Sequence, residues 1–275
     1  MTDIDESDQT ALSAEKNRRG IQSVELGSEL LLQLARAGRP AALKDLAKAA
    51  GMTTGKAHPY MVSFLKVGFV LQTAAGLYEL GPLALQLGLT RLQRLDPVKE
   101  ASTFIEALAE ETGQTVAVAV WGNLGPTVVR LEEPIQPLHI NLRTGTVMSL
   151  HSTATGRLFA AYMPSMAVKQ VLELELARQS YGTELGNRLP DEELQKSLAE
   201  IRQHGLSRTR GHPIPGIDAI CAPVFDYEGH LILGILVMGP SATFDSEWNG
   251  KIADALRRCA QEIAHRMGRE PKHNA

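Results

Sequence analysis

The stretch Thr53–Gly68, TTGKAHPYMVSFLKVG, decides how the N-terminal part of this chain folds. Ala57, Met61, Phe64 and Leu65 recur at three- and four-residue intervals, the period of one buried helix face. Thr53, Thr54, Lys56, His58, Tyr60, Ser63 and Lys66 fall on the other face. They are polar groups at the leading end of a helix, where the base edges and phosphates of a duplex are within reach. Proline lacks the N–H that a helix interior donates and fits only the first turn. Pro59 therefore predicts a regular helix starting near Gly55 or Lys56, with Thr53 and Thr54 as cap or turn residues. A merely solvated polar face is the competing reading, and the flanking sequence decides between them.

Upstream, Val24, Leu26, Leu30, Leu31, Leu34 and Ala35 form a helical stripe behind Ser23 as N-cap, closed by Gly38 and Pro40. Leu43, Leu46, Ala47 and Ala50 form a second, shorter stripe, with Gly51 following its last apolar position. Downstream, Phe69–Leu71 and Leu77–Leu80 read as two short strands around the turn Thr73–Gly76. Helix, helix, turn, helix and hairpin over residues 20–81 is the order of a winged helix-turn-helix. The hairpin tip carries no Lys or Arg, which limits it to backbone contacts; Lys16, Arg18 and Arg19, in an acidic-then-basic tail over 1–19 that reads as disordered, offer a basic arm. Charge agrees with a polyanion partner. Residues 16–95 hold eleven Lys and Arg against four Asp and Glu, whereas the whole chain is at −3.

Residues 82–95 follow as a leucine-rich helix, with Leu83, Leu85, Leu87, Leu89 and Leu92 exceeding what one small domain can cover, so a linker and dimerisation role is expected. Asp96–Pro97 reads as N-cap and N1 of the next helix, running to Gly113, and the domain boundary is placed there. Beyond Gly113 the apolar period falls to two. Strands are expected at Thr115–Trp121, Thr127–Glu133, His139–Leu142, Ile217–Phe225 and Leu231–Met238, with Gly122–Pro126 as the first turn. Helices are expected at about 153–163, 165–178, 191–204 (capped by Asp191) and Asp245–Met267. Residues 96–270 thus form an α+β domain on one antiparallel sheet.

The 275 residues suffice for two ordinary domains, and 44% apolar with 21% charged residues is a globular balance. No apolar run has the length of a membrane helix, and the acidic start lacks the apolar core of a signal peptide, so a cytoplasmic protein without a membrane partner is expected. Cys221 has His151 and His212 as candidate partners but lies within an apolar strand, where a packing role outweighs a nucleophilic one. His139, His151, His204, His212 and His265 show no metal-ligand spacing, and no phosphate-binding glycine loop occurs, so no catalytic residue, metal or cofactor is assigned. In Leu150–Phe159, LHSTATGRLF, Ser152 or Thr153 can cap a helix whose first amides face inward, and the small Ala154 and Gly156 would allow a carboxylate to approach.

Taken in order, LKDLAKAAGM, TTGKAHPYMVSFLKVGFV, GLYELGPLALQLG, LAEETGQTVAVAV, LHSTATGR and GIDAICAPVFDYEGHLILGILVMGP resemble the IclR family of bacterial transcriptional regulators, over about residues 20–268. The resemblance implies a winged helix-turn-helix that binds double-stranded operator DNA as dimers or tetramers. It also implies a GAF-like domain that binds a small organic effector around Leu150, Ala154, Thr155, Gly156, Ala219, Leu236 and Met238. This chain departs from the family pattern in its recognition helix, where Gly55–Pro59 replace the usual residues and Pro59 takes the place of an arginine. Ala219 stands for a cysteine, Leu236 and Met238 for serines, and Thr209, Arg210 and Gly211 for an acidic patch. Those changes remove polar partners and add apolar wall, so an aromatic or bulky apolar carboxylic acid is expected as effector, with Arg210 as its carboxylate partner. A small-molecule hydrolase or a sensor scaffold built on the C-terminal domain is the alternative.

Overall fold

The computed structural model describes residues 20–134, 142–179 and 190–269. The chain divides into two compact units, the second beginning at Leu95.

In the first unit, α1 (Gln22–Ala37), α2 (Leu43–Ala49) and α3 (Thr54–Val67) precede a hairpin of β1 (Val70–Gln72) and β2 (Tyr78–Leu80). Leu30, Leu34, Leu46, Ala47, Ala57, Met61, Val70 and Tyr78 close one core. The buried stripe of α1 is Gly27, Leu30 and Leu34, while Val24 is 61% exposed. The apolar period places Leu30 and Leu34 correctly but misses Gly27 in the first turns, because glycine carries no hydropathy signal. A Cβ at Gly27 would stand 2.9 Å from Phe64 Cζ and 3.3 Å from Tyr60 Cδ1, so the missing side chain lets α3 lie against α1. The first helix also begins at Gln22 behind Ile21, without a side-chain cap, and not behind Ser23. Ala41 pairs with Tyr78 through both main-chain bonds, joining the loop before α2 to the hairpin. α4 (Pro82–Gln93) follows with no buried residue, and Leu85, Leu87, Leu89 and Leu92 are all exposed.

The second unit is a sheet between two helical layers. Asp96 caps α5 (Pro97–Thr112), its carboxylate accepting the Val98 and Lys99 amides at 3.0 and 3.1 Å. β3 (Thr115–Gly122), β4 (Gly125–Glu132), β5 (Ser207–Thr209), β6 (Ile217–Phe225) and β7 (Leu231–Pro240) form an antiparallel sheet in the order β4-β3-β7-β6-β5. Strand side chains alternate between faces. Val116, Val118, Ile220, Ala222, Ile235 and Val237 pack under α5 and α9 (Lys251–Arg266), and Ala117, Ala219, Cys221, Leu236 and Met238 face the other way. That second face is covered by α6 (Ala154–Tyr162), α7 (Ser165–Gln179) and α8 (Asp191–His204).

Several expected boundaries shift. Gly122 pairs with Gly125, so the first hairpin turns on Asn123 and Leu124 alone. Asp191 is the first residue of α8 and Pro190 its cap position. The last helix starts at Lys251 because the Asp245 carboxylate accepts the Glu247 and Lys251 amides at 3.2 and 2.9 Å, folding the residues between into a turn. Leu142 is not in a strand, and the rest of the strand expected at 139–142 lies outside the described residues, as do Lys16, Arg18 and Arg19. Among the described residues no helix is long and apolar enough to cross a membrane.

Candidate functional site

Two surfaces carry polar groups beyond what folding uses. The first is α3. Thr53 is its N-cap, Oγ1 accepting the Lys56 amide at 3.3 Å, and the helix begins at Thr54, one or two residues earlier than Pro59 had implied. Pro59 therefore lies in the second turn. It tolerates this by giving up one amide bond, and its own carbonyl accepts from Ser63 Oγ at 2.9 Å. Thr53, Thr54, Lys56, His58, Ser63 and Lys66 are exposed, whereas Tyr60 is half-buried against Gly27. The leading tip thus presents Lys56 and His58 at the positive end of the helix dipole, with no acidic residue in the first turn.

The second surface is a cavity of about 300 Å³ inside the C-terminal unit. Its floor is Ala219, Leu236 and Met238 on adjacent strands, with Ala219 opposite Met238 in register. Leu142, Val147 and Met148 form one wall, and Pro213, Ile214 and Ile217 another. The mouth of polar atoms is the start of α6, where Ser149, Ser152, Thr153 and Ala154 line the space, with Thr209 and His212 across it. Ser149 Oγ accepts the His151 and Ser152 amides at 3.3 and 3.2 Å. Thr153 Oγ1 donates to the Ser149 carbonyl at 2.8 Å and accepts the Gly156 amide at 2.9 Å. The amides of Ala154 and Thr155 remain, without an acceptor among the described residues. Of these two, Ala154 lies on the cavity lining, and an unspent donor at a helix N-terminus beside an otherwise apolar chamber suits one anionic head on an apolar body.

The comparisons with known proteins agree with this layout. Residues 23–74 match the IclR helix-turn-helix domain, and residues 89–265 match the bacterial transcriptional regulator IclR C-terminal domain. The chain belongs to the IclR family of transcriptional regulators. It is 29% identical over 257 residues to the glycerol operon regulatory protein of Streptomyces coelicolor, covering 91% of this chain and 98% of that one. The transcriptional repressor IclR of Escherichia coli K12 is 23% identical over 252 residues, covering 90% of each. The crystal structure of Pseudomonas aeruginosa HmgR superposes with a TM-score of 0.80 at 32% identity, over 92% of this chain and all of the other. As an IclR-family protein it is a DNA-binding transcriptional regulator with an effector-binding C-terminal domain, and not an enzyme.

The hydrolase alternative falls with this assignment. Cys221 is fully buried under α6, and burial pushes its thiol up to about 12, with the Thr155 hydroxyl pulling weakly the other way. A thiol held neutral at that level is not a nucleophile.

Other expectations about the IclR-family effector site need correction. Gly156 does not make room for a ligand: a Cβ there would collide with the Ser149 carbonyl and stand 2.7 Å from Leu150 Cα, so the glycine admits the chain's own backbone. Leu150 and Thr155 are fully buried and do not reach the cavity; the Leu150 amide donates to Glu175 Oε2 at 3.1 Å. Arg210 lies outside the cavity as well. Its Nε donates to Ser246 Oγ at 2.8 Å and its Nη2 meets Glu247 Oε1 at 2.9 Å, on the side shared with Arg208. Thr209 and His212 line the chamber instead. The sequence marks Thr209 only as a departure from the family pattern and His212 only as a candidate partner of Cys221. Thr209 belongs to β5, a three-residue strand too short and polar to register as one.

Proposed function

We propose that the polar face of α3 reads an operator, and that an aromatic or bulky apolar carboxylic acid in the C-terminal cavity sets the affinity of that grip. One observation carries the ligand class: an apolar chamber whose polar end is the start of α6, with Ala154, whose amide is unspent, on its lining. A flat apolar body fills about 300 Å³, near the lower size of ligand pockets, while its carboxylate meets the helix start. A small oxygenated acid such as pyruvate leaves Leu236, Met238 and Ile214 facing water and gains fewer hydrogen bonds.

The exposed leucines of α4 support a homodimer, and pairs of dimers give a tetramer. A two-fold dimer fits a pseudo-palindromic operator with half-sites about one helical turn apart. Effector control then acts as a population shift between two arrangements of the paired reading helices, limited by the ligand's differential affinity for them.

The test is isothermal titration of the full chain with benzoate, pyruvate and glyoxylate, paired with gel-shift of the DNA flanking its own gene. Saturable benzoate binding that alters the shift supports the proposal. Tight pyruvate or glyoxylate binding with none for benzoate overturns the ligand class, and no shift at low salt, with or without benzoate, overturns the operator reading.

A further inference from the structure

Beside the apolar cavity lies a second one, of about 380 Å³, walled by α6, α8 and β5 and of opposite character. Arg157, Lys196, Arg208 and Arg210 line it against Glu193 and Glu200. Arg208 and Arg210 already share one carboxylate, Glu247, at 3.7 and 2.9 Å. Arg157 and Lys196 have no carboxylate partner among the described residues. Arg157 stands out because it is partly buried. Its Nε donates to the His151 carbonyl at 2.8 Å, and burial pulls its pKa below the usual guanidinium range. A partly desolvated guanidinium that lines a cavity with no carboxylate paired to it is costly, and an anion entering from solution removes that cost.

The geometry points to a second ligand site here, for a compact dianion such as a phosphoryl group or a short dicarboxylate, separate from the effector cavity and coupled to it. Forked Arg157 takes two oxygens, and Lys196 from α8 closes over the anion as a point charge. Coupling follows from construction. Thr209 and His212 line both cavities. Arg157 holds the His151 carbonyl, in the loop whose neighbours Ser149 and Ser152 form the polar mouth of the apolar chamber. An anion that fixes Arg157 also fixes that loop, and linkage makes the effect reciprocal.

Trp248 gives a local readout. It lines the polar cavity, stacked on His204 at 4.3 Å and beneath Arg208 at 3.9 Å. The full chain is titrated with inorganic phosphate and, separately, malonate, at constant ionic strength against chloride, followed by calorimetry and tryptophan emission. The expected result is saturable binding of one dianion per chain that changes Trp248 emission and is lost in that channel in Trp248→Phe. Lys196→Gln, at an exposed position that cannot unfold α8, weakens it about ten- to hundredfold, as does Arg157→Gln. Lys251→Gln, an exposed cation outside the cavity, leaves it unchanged. Preference for one probe distinguishes phosphoryl from dicarboxylate ligands. A non-saturating response to all three salts, or equal affinity in wild type and Lys196→Gln, overturns the site. Mutual exclusion of phosphate and benzoate overturns its separateness. The phosphate titration contains no aromatic acid, so its outcome is independent of whether benzoate is the right probe for the apolar chamber.

Discussion

The starts of α3 and α6 use the same cap and put it to opposite ends. At each, a threonine hydroxyl accepts the amide three residues on, at 3.3 Å from Lys56 and 2.9 Å from Gly156. In α3, Thr53, Thr54, Gly55 and Lys56 are all exposed, and nothing lies within 4 Å of a Cβ built at Gly55. In α6, Thr153, Ala154, Thr155 and Gly156 are all buried, and Gly156 rests against the Ser149 carbonyl. An open helix start offers its donors to a partner larger than the protein's own grooves, such as a duplex. An enclosed start offers the same donors only to a molecule small enough to be surrounded.

The largest test of that contrast is a pair of Gly→Ala changes. Both Trp121 and Trp248 lie in the C-terminal unit, and they are the only tryptophans, so urea unfolding followed by tryptophan emission reports that unit alone. Gly156→Ala forces a methyl into the Ser149 backbone and should cost about 2–4 kcal/mol. Gly55→Ala enters open space in a helix and should be neutral or stabilising by up to about 1 kcal/mol, read by circular dichroism of the whole chain. Equal costs at the two sites would break the comparison.

Removing the caps sharpens it. Thr153→Ala deletes two hydrogen bonds in a buried setting, including the one to the Ser149 carbonyl, and should destabilise the C-terminal unit by about 2 kcal/mol. The same change should also weaken benzoate binding, since it frees the loop that frames the Ala154 amide. Thr53→Ala removes one exposed bond and should cost about 0.5–1 kcal/mol. Calorimetric unfolding of both variants decides how far burial, with the extra Ser149 bond it encloses, separates two caps of the same kind.

The same difference explains what the sequence could reveal. The α3 surface is one contiguous stretch, so period and composition were enough to place Lys56, His58, Ser63 and Lys66 outside; only Tyr60, drawn inward by Gly27, escaped the pattern. The two-residue alternation likewise placed Ala219, Leu236 and Met238 on one sheet face. The rest of the chamber is assembled from segments around 146, 153, 209 and 213, and no local period links them. Arg210 shows the limit most clearly. Its charge suggested a carboxylate partner, but the strand that decides its direction is three residues long, and Ser246 and Glu247, which capture it, are 36 and 37 residues away in sequence.

The smallest expected effect is also the most selective. Lys56→Gln, on an exposed helix tip with no tertiary contact to lose, should leave both unfolding transitions within about 0.5 kcal/mol of wild type. If Lys56 neutralises one phosphate, the slope of log affinity against log salt should become shallower by about 0.9, measured by fluorescence anisotropy on labelled operator. The ratio of operator affinities with and without benzoate should stay unchanged, because a phosphate contact made equally in both arrangements contributes nothing to their difference. A changed ratio would mean that the grip of Lys56 itself differs between the two states, and the open helix start would then belong to the switch as well as to the reading of DNA.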